Sequence, residues 1–219
     1  MSIQSAVVIG SGTMGRGIAQ VAATAGLTTF MYDVNAEQVK KALAEIEKSL
    51  GKLVEKGKLP GEVATKAKAN LKACSSLDEI AWPKVGIAIE AIFENFDTKV
   101  ALYKQVEAKL PAEAILASNT SSISITKLAA ATGRPSKFIG MHFFNPVPLM
   151  SLVEVIRGLQ TDDATMAAID ALAKQMGKNP LACNDMPGFV SNRVLMPMIN
   201  EAAFALMEGV AEPNIIDEI

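Results

Sequence analysis

The residues best suited to chemistry are a histidine and a glutamate on neighbouring apolar runs. His142, the only histidine in the chain, lies in the stretch Met141-His142-Phe143-Phe144-Asn145-Pro146-Val147-Pro148, and Glu154 lies in the run that follows. Prolines cannot donate to a strand ladder, so they suit the connection between two strands. If residues 138–143 and 152–157 pair antiparallel about Pro148, His142 stands directly opposite Glu154. Opposed residues have Cβ atoms about 4.5–5.5 Å apart, within reach of a hydrogen bond between a ring nitrogen and a carboxylate. A slip of one residue would send the two side chains to opposite faces. An imidazole beside a carboxylate can accept a proton from a hydroxyl and return it. The plainer reading of His142 is a ring satisfied by a local carbonyl.

A second site lies near the N-terminus. Gly10-Ser11-Gly12-Thr13-Met14-Gly15 follows a strand-like run and opens a helical pattern, and Asp33 ends the next strand-like run. Glycines in this position let the backbone turn tightly and approach a pyrophosphate at the positive end of a helix. The acid at the end of the second strand accepts from the adenine ribose hydroxyls. Asp33 would repel a 2′-phosphate, so NAD is expected rather than NADP. The pair His142 and Glu154 then acquires a redox setting.

Two further polar segments follow strand-like runs, where ligands collect in open parallel sheets. One is Glu94-Asn95 with Lys99, and the other is Ser118-Asn119-Thr120-Ser121-Ser122. Both also read as helix caps, a role expected above all of Ser122. Glu90 lies inside an expected strand, where a carboxylate is costly unless paired, and the sequence names no partner.

The elements that must position these residues alternate strand and helix over the first 140 residues, the pattern of a doubly wound, mostly parallel α/β sheet. Strands are expected at 5–9, 28–33, 85–93, 114–117 and 138–143, and helices at 14–25, 36–55, 61–72, 98–108 and 123–131. Val39, Leu43, Ile46, Leu50 and Leu53 form a four-three stripe, and Val63, Ala67 and Leu71 resume it after Gly57, Pro60 and Gly61. This predicts an antiparallel helical arm, about 36–72, inserted in the nucleotide fold. Lys48, Lys52 and Lys56 line one side of its first helix, a row that reads most simply as a solvated face. Beyond the hairpin come a helix at 162–176, a short run at 181–183 and a junction at Asp185-Met186-Pro187-Gly188. An apolar helix at 189–208 follows, and another begins at Pro213.

Composition narrows the partners. The chain has 219 residues, half of them hydrophobic, with 21 Lys and Arg against 23 Asp and Glu. Near balance of charge without interleaved aromatics argues against nucleic acid. Cys74 and Cys183 have no metal-ligand spacing, so no metal site is expected and reduced thiols are the default. No apolar run approaches membrane-spanning length, and the N-terminus does not read as a signal peptide. A cytoplasmic protein that is not bound to membranes is expected.

Together these motifs resemble a known family. The nucleotide loop, Ile89-Glu90-Ala91 with Glu94-Asn95, Ser118 to Ser122, His142 to Pro146 and Pro187-Gly188-Phe189 with Asn192-Arg193 look like the L-3-hydroxyacyl-CoA dehydrogenases. The resemblance covers essentially the whole chain, and is greatest to short bacterial members that act on 3-hydroxybutyryl-CoA. It implies a Rossmann-like NAD-binding domain at 1–185 and the beginning of an all-helical C-terminal substrate and dimerisation domain at 186–219, largely missing beyond its first helix. A full-length chain is then expected to be a homodimer. The resemblance makes His142 the base and acid, Glu154 its orienting partner, and Ser121 and Asn192 the groups that hold the substrate oxygen. It places Gly10, Ser11, Gly12, Thr13, Met14, Gly15, Asp33, Glu94, Lys99, Ser121 and Asn145 on the cofactor side, and Ser49 and Lys56 against coenzyme A. The implied reaction interconverts an L-3-hydroxyacyl-CoA and a 3-ketoacyl-CoA with NAD. Oxidation of a free 3-hydroxy acid, or an NAD-binding domain without turnover, are the alternatives.

Overall fold

Ser5–Ile9 forms β1, a fully buried interior strand of the sheet. An uninterrupted apolar run suits this place because helices cover both faces of a parallel sheet. The computed structural model describes residues 3–219. After β1 come α1 (Thr13–Thr24), β2 (Thr28–Tyr32), α2 (Ala36–Glu55), α3 (Gly61–Asn70), β3 (Leu71–Cys74) and β4 (Ile87–Glu90). The chain continues through α4 (Phe96–Glu107), β5 (Ile115–Ser118), α5 (Ile125–Ala130), β6 (Phe138–Phe143) and β7 (Leu152–Arg157). It ends with α6 (Asp163–Gln175), β8 (Asn179–Asn184), α7 (Ser191–Met207) and α8 (Pro213–Glu218).

The eight strands form one sheet in the order β3-β2-β1-β4-β5-β6-β7-β8. Every neighbouring pair is parallel except β6 with β7. Connections run one way from β1 and the other way from β4, so the strand order reverses between them. The crevice beyond the carboxyl ends of these two strands is where ligands bind in such sheets. Alternate residues of β1 feed two cores: Ala6 and Val8 pack with Ile18, Ala22 and Ile169, while Val7 and Ile9 pack with Tyr103, Val106 and Leu128. Helices α1 and α6 thus cover one face, and α4 and α5 the other.

The expected arm is present but not free-standing. Val39, Ile46 and Leu50 of α2 and Ala64 and Ala67 of α3 are buried in the same cluster as Ile18 and Ala22 of α1. Their narrow stripe seats the helix pair on the nucleotide domain. The second helix stops at Asn70 rather than continuing to 72, because Leu71–Cys74 pairs with Thr29–Tyr32 as the edge strand β3. A four-residue strand inside a helical stripe has no periodic signal of its own; the open edge of β2 decides its conformation.

Other boundaries shift for local reasons. Strand β4 is shorter than residues 85–93, because Ile92 N turns to donate to the Glu90 side chain. Helix α4 starts earlier than expected because Asn95 Oδ1 accepts from Thr98 N and caps it. Helix α5 is capped by Ser124 rather than by Ser122. The β6 and β7 bounds match the sequence reading, and their register places His142 opposite Glu154.

Candidate active site

The hairpin that carries the histidine is locked at several points. Asn119, just past β5, accepts from Phe143 N through Oδ1, and Lys178 donates its ammonium to the carbonyls of Val147 and Met150 in the turn. Burial pushes the Lys178 pKa down. On this support His142 Nδ1 lies 2.7 Å from Glu154 Oε2, with the two residues 6% and 4% exposed. The rings of Phe144 and Phe189 flank the imidazole at centroid distances of 4.7 and 5.9 Å.

Glu154 is ionised by its surroundings. Burial pushes its pKa up, but hydrogen bonds from His142, Ser191 and Val190 outweigh that and hold it below the ordinary carboxylate value. An ionised carboxylate only accepts, so Nδ1 of His142 carries the proton in the neutral ring. Nε2 is left as the basic nitrogen. The structure thus brings together the histidine and the acid that the sequence paired.

The glycine loop is shaped for close approach of a phosphate. Gly10 has a φ of 98°, and a side chain on Gly15 would put its Cβ 1.8 Å from Gly10 O. Gly12 caps α1 without a side-chain hydrogen bond, and a Cβ there would meet nothing within 4 Å. The helix thus presents open N–H groups to an anion on an exposed face formed by Gly12 and Thr13, with Met14 half-buried behind. Asp33 closes the loop: its Oδ2 accepts from Ser11 N at 2.8 Å and Ser11 Oγ at 3.0 Å, and its Oδ1 accepts from Asn35 N. These residues fit an adenine dinucleotide with an unphosphorylated ribose.

Beyond β4 and β5 the two polar segments meet. Glu94 Oε1 accepts from Thr120 Oγ1, Ser121 N and Ser122 N, which draws the Ser121 turn against it. Burial pushes the Glu94 pKa up, yet these bonds and Lys99 leave it lowered overall. Asn192, at the head of α7, donates through Nδ2 to Ser121 O. Lys99, expected on the cofactor side, is buried. It is 1% exposed and held by Glu90 Oε1 at 2.5 Å and Glu94 Oε2 at 3.2 Å. Its link to the cofactor side runs through Glu94. Glu90, unpartnered in the sequence, also accepts from Tyr103 and Ser118.

A cleft of about 380 Å³ separates α1 and the hairpin turn from the arm. Ser49, Lys56 and Asn145 line it together with Lys48, Lys52 and Lys58. The row of Lys48, Lys52 and Lys56, read from the sequence as a solvated face, thus lines a concave surface together with Lys58, which suits a polyanion. Arg16 on α1 pairs with Glu45 on α2 across its floor. Among the described residues, no group of three or more His, Cys, Asp or Glu could hold a metal ion.

Comparison with known proteins gives this geometry a family. The profile described as 3-hydroxyacyl-CoA dehydrogenase, NAD binding domain, matches residues 5–186, and that of the family's C-terminal domain matches residues 188–219. The chain belongs to the 3-hydroxyacyl-CoA dehydrogenase family. It is 54% identical over 212 residues to a probable 3-hydroxybutyryl-CoA dehydrogenase of Deinococcus radiodurans, covering 97% of this chain and 75% of that one. A 3-hydroxybutyryl-CoA dehydrogenase of Bradyrhizobium diazoefficiens is 46% identical over 98% of this chain and 73% of its own. The crystal structure of (S)-3-hydroxybutyryl-CoA dehydrogenase from Ralstonia eutropha superposes with a TM-score of 0.93 at 51% identity, over 97% of this chain and 75% of that chain. As a 3-hydroxyacyl-CoA dehydrogenase the chain is an NAD-dependent oxidoreductase.

Some residues of this dehydrogenase site carry no sequence signal. Asp185 accepts from Ser124 Oγ, Ile125 N and Thr126 N, so the junction caps α5 from a distance of sixty residues. Ser191 donates to Glu154 from within what reads as an ordinary apolar helix. Only Glu90 announced itself, by needing a partner.

Proposed function

We propose that this dehydrogenase interconverts a short L-3-hydroxyacyl-CoA, 3-hydroxybutyryl-CoA, and the matching 3-ketoacyl-CoA. The observation that carries the reading is the Nδ1 contact of His142 with Glu154, because it leaves Nε2 as the group that exchanges a proton with the substrate oxygen. NAD, when bound, supplies the hydride acceptor and in reduced form the donor.

In oxidation His142 takes the hydroxyl proton at Nε2, and Glu154 offsets the positive charge that then develops on the ring. In reduction the imidazolium returns that proton to the oxygen. Ser121 and Asn192 hold the substrate oxygen between them, a role supported by the bond from Asn192 Nδ2 to the Ser121 carbonyl, which brings the two residues together at the head of α7. Gly10 to Gly15 and Asp33 bind the dinucleotide, with Glu94 bordering the nicotinamide side and Asn145 standing where the cofactor loop meets the cleft of the arm. Ser49 and Lys56 take the phosphates of coenzyme A in the cleft of the arm, and Lys48 and Lys52 add charge there.

The short acyl chain rests on the relatives' names. We read residues 1–185 as the NAD-binding domain and 186–219 as the beginning of the helical one, with a homodimer for a full-length chain. No helix among the described residues is long and apolar enough to cross a membrane. A cytoplasmic location is part of the same reading.

Oxidation of NADH is measured with acetoacetyl-CoA and, separately, with free acetoacetate. Turnover with the thioester alone is expected. Turnover with the free acid alone would replace the substrate class, and none with either would remove the activity.

A further inference from the structure

Glu154 serves more than the histidine. Its Oε2 accepts from His142 Nδ1 and, at 2.9 Å, from Ser191 Oγ; its Oε1 accepts from Ser191 N at 2.8 Å and Val190 N at 3.1 Å. Helix α7 begins at Ser191, and Val190 at its N-cap offers no side-chain cap. The carboxylate supplies what the N-cap lacks, accepting from two amides that a helix leaves without partners. An anion at this end also interacts favourably with the helix dipole.

The junction reaches the other member of the pair too. Gly188 and Phe189 have φ values of 79° and 51°, a left-handed step that a non-glycine residue adopts at a cost. It leaves Phe189 4% exposed, with its ring against His142, and aims the next two amides at Glu154. One short segment therefore packs on the imidazole and binds the carboxylate.

We propose that Ser191 is a positioning residue of the proton-transfer pair, so that His142 and Glu154 are aligned only while the head of α7 is seated on Glu154. The Ser191 hydroxyl is the one group besides the histidine that holds Oε2, so it fixes that oxygen against Nδ1 where the two amides hold only Oε1. Without the hydroxyl, Oε2 keeps a single donor and the side chain gains freedom about its last torsion. Helix α7 opens the segment matched by the family's C-terminal domain. Any movement of that helix relative to the sheet would thus be felt directly by the pair.

The inference rests on the reading of His142 as the proton-transfer residue, and its test includes a signal that needs no turnover. Because the chain has a single histidine, its imidazole resonances are unambiguous. In the wild-type chain the Nδ1 proton should give a resolved low-field resonance. Ser191→Ala should broaden or abolish it and lower kcat for acetoacetyl-CoA about tenfold while leaving the KM for NADH unchanged. Ser191→Thr, which keeps the hydroxyl, should restore both. Retention of the resonance in Ser191→Ala, or its loss in the alanine and threonine variants alike, would overturn the proposal. Absence of turnover in the wild type would count against the proposed function, while the resonance would still decide the role of Ser191.

Discussion

Lys99 Nζ lies between two carboxylates, 2.5 Å from Glu90 Oε1 and 3.2 Å from Glu94 Oε2. One partner is buried in β4, and the other holds the Ser121 turn beside the site. The lysine therefore couples the interior of the sheet to the Ser121 loop beyond β5. Two charges taken from water are retained only if their hydrogen-bonding capacity is filled, and Tyr103, Ser118 and Ile92 N complete Glu90.

Lys99→Met should destabilise the chain by about 3–5 kcal/mol, since it strands a buried carboxylate. Pairing it with Glu90→Gln should recover part of that loss, because the two changes share one interaction. Urea unfolding of the two single variants and the double variant measures the coupling. Strict additivity would show that the pair is not energetically linked.

His142→Ala should lower kcat roughly 10²–10⁴-fold and leave NADH affinity unchanged. Glu154→Gln should fall between that variant and the wild type, since the ring remains but loses its charged partner. Steady-state turnover with a fluorescence titration of NADH separates the two quantities. An unaltered turnover number in His142→Ala would remove the histidine from the mechanism.

The pair was legible in the sequence because every step is local. Two apolar runs with prolines between them suggest a hairpin about Pro148, and of its possible registers the structure adopts the one that pairs His142 with Glu154. The glycine loop and Asp33 were legible for the same reason. What the sequence hides depends on distant chain segments. Strand β3 exists because β2 offers an edge, Asp185 caps a helix sixty residues away, and Lys99 turns inward because Glu90 waits there. Ser122 looked like a cap, but Glu94 claims its N–H and Ser124 takes the capping role. Side-chain pattern alone ranks neighbours, and tertiary partners decide among them.

Asp33→Asn should narrow the preference for NADH over NADPH by about an order of magnitude, because it removes the charge that opposes a 2′-phosphate. The amide oxygen can still accept from Ser11, at the expense of the bond from Asn35 N, so the contact to the glycine loop should persist. Asp33→Ala deletes that acceptor as well and should weaken both cofactors. Comparing kcat/KM for the two cofactors in both variants separates charge from loop support. Equal behaviour of Asn and Ala would show that the Ser11 contact contributes nothing.

Acid should loosen the site through its depressed carboxylates. For Asp185, burial pushes the pKa up, but bonds from Thr126, Ser124 and Ile125 leave it below the ordinary carboxylate value, and Glu94 and Glu154 are likewise held below theirs. A folded pKa below the unfolded one contributes stability that is present above the unfolded value and is lost as pH falls through the folded one. The midpoint of thermal unfolding should therefore drop as pH falls below about 4.5. Asp185→Asn should flatten that decline, since it removes one of the groups that must be protonated. A parallel decline in the variant and the wild type would exclude Asp185 from the acid response.

The lysines of the arm should act on the nucleotide part of the substrate and not on its reacting carbons. Lys56→Ala is expected to raise the KM for acetoacetyl-CoA several-fold, and Lys52→Glu to raise it further by reversing a charge in the same cleft. Added salt should raise the wild-type KM in the same direction, because the lysines are exposed and screened within about 8–10 Å. The control is an acetoacetyl thioester of N-acetylcysteamine, which lacks the phosphates. Its KM should be indifferent to salt and to both substitutions. Equal sensitivity of the two thioesters would move the coenzyme A phosphates out of this cleft.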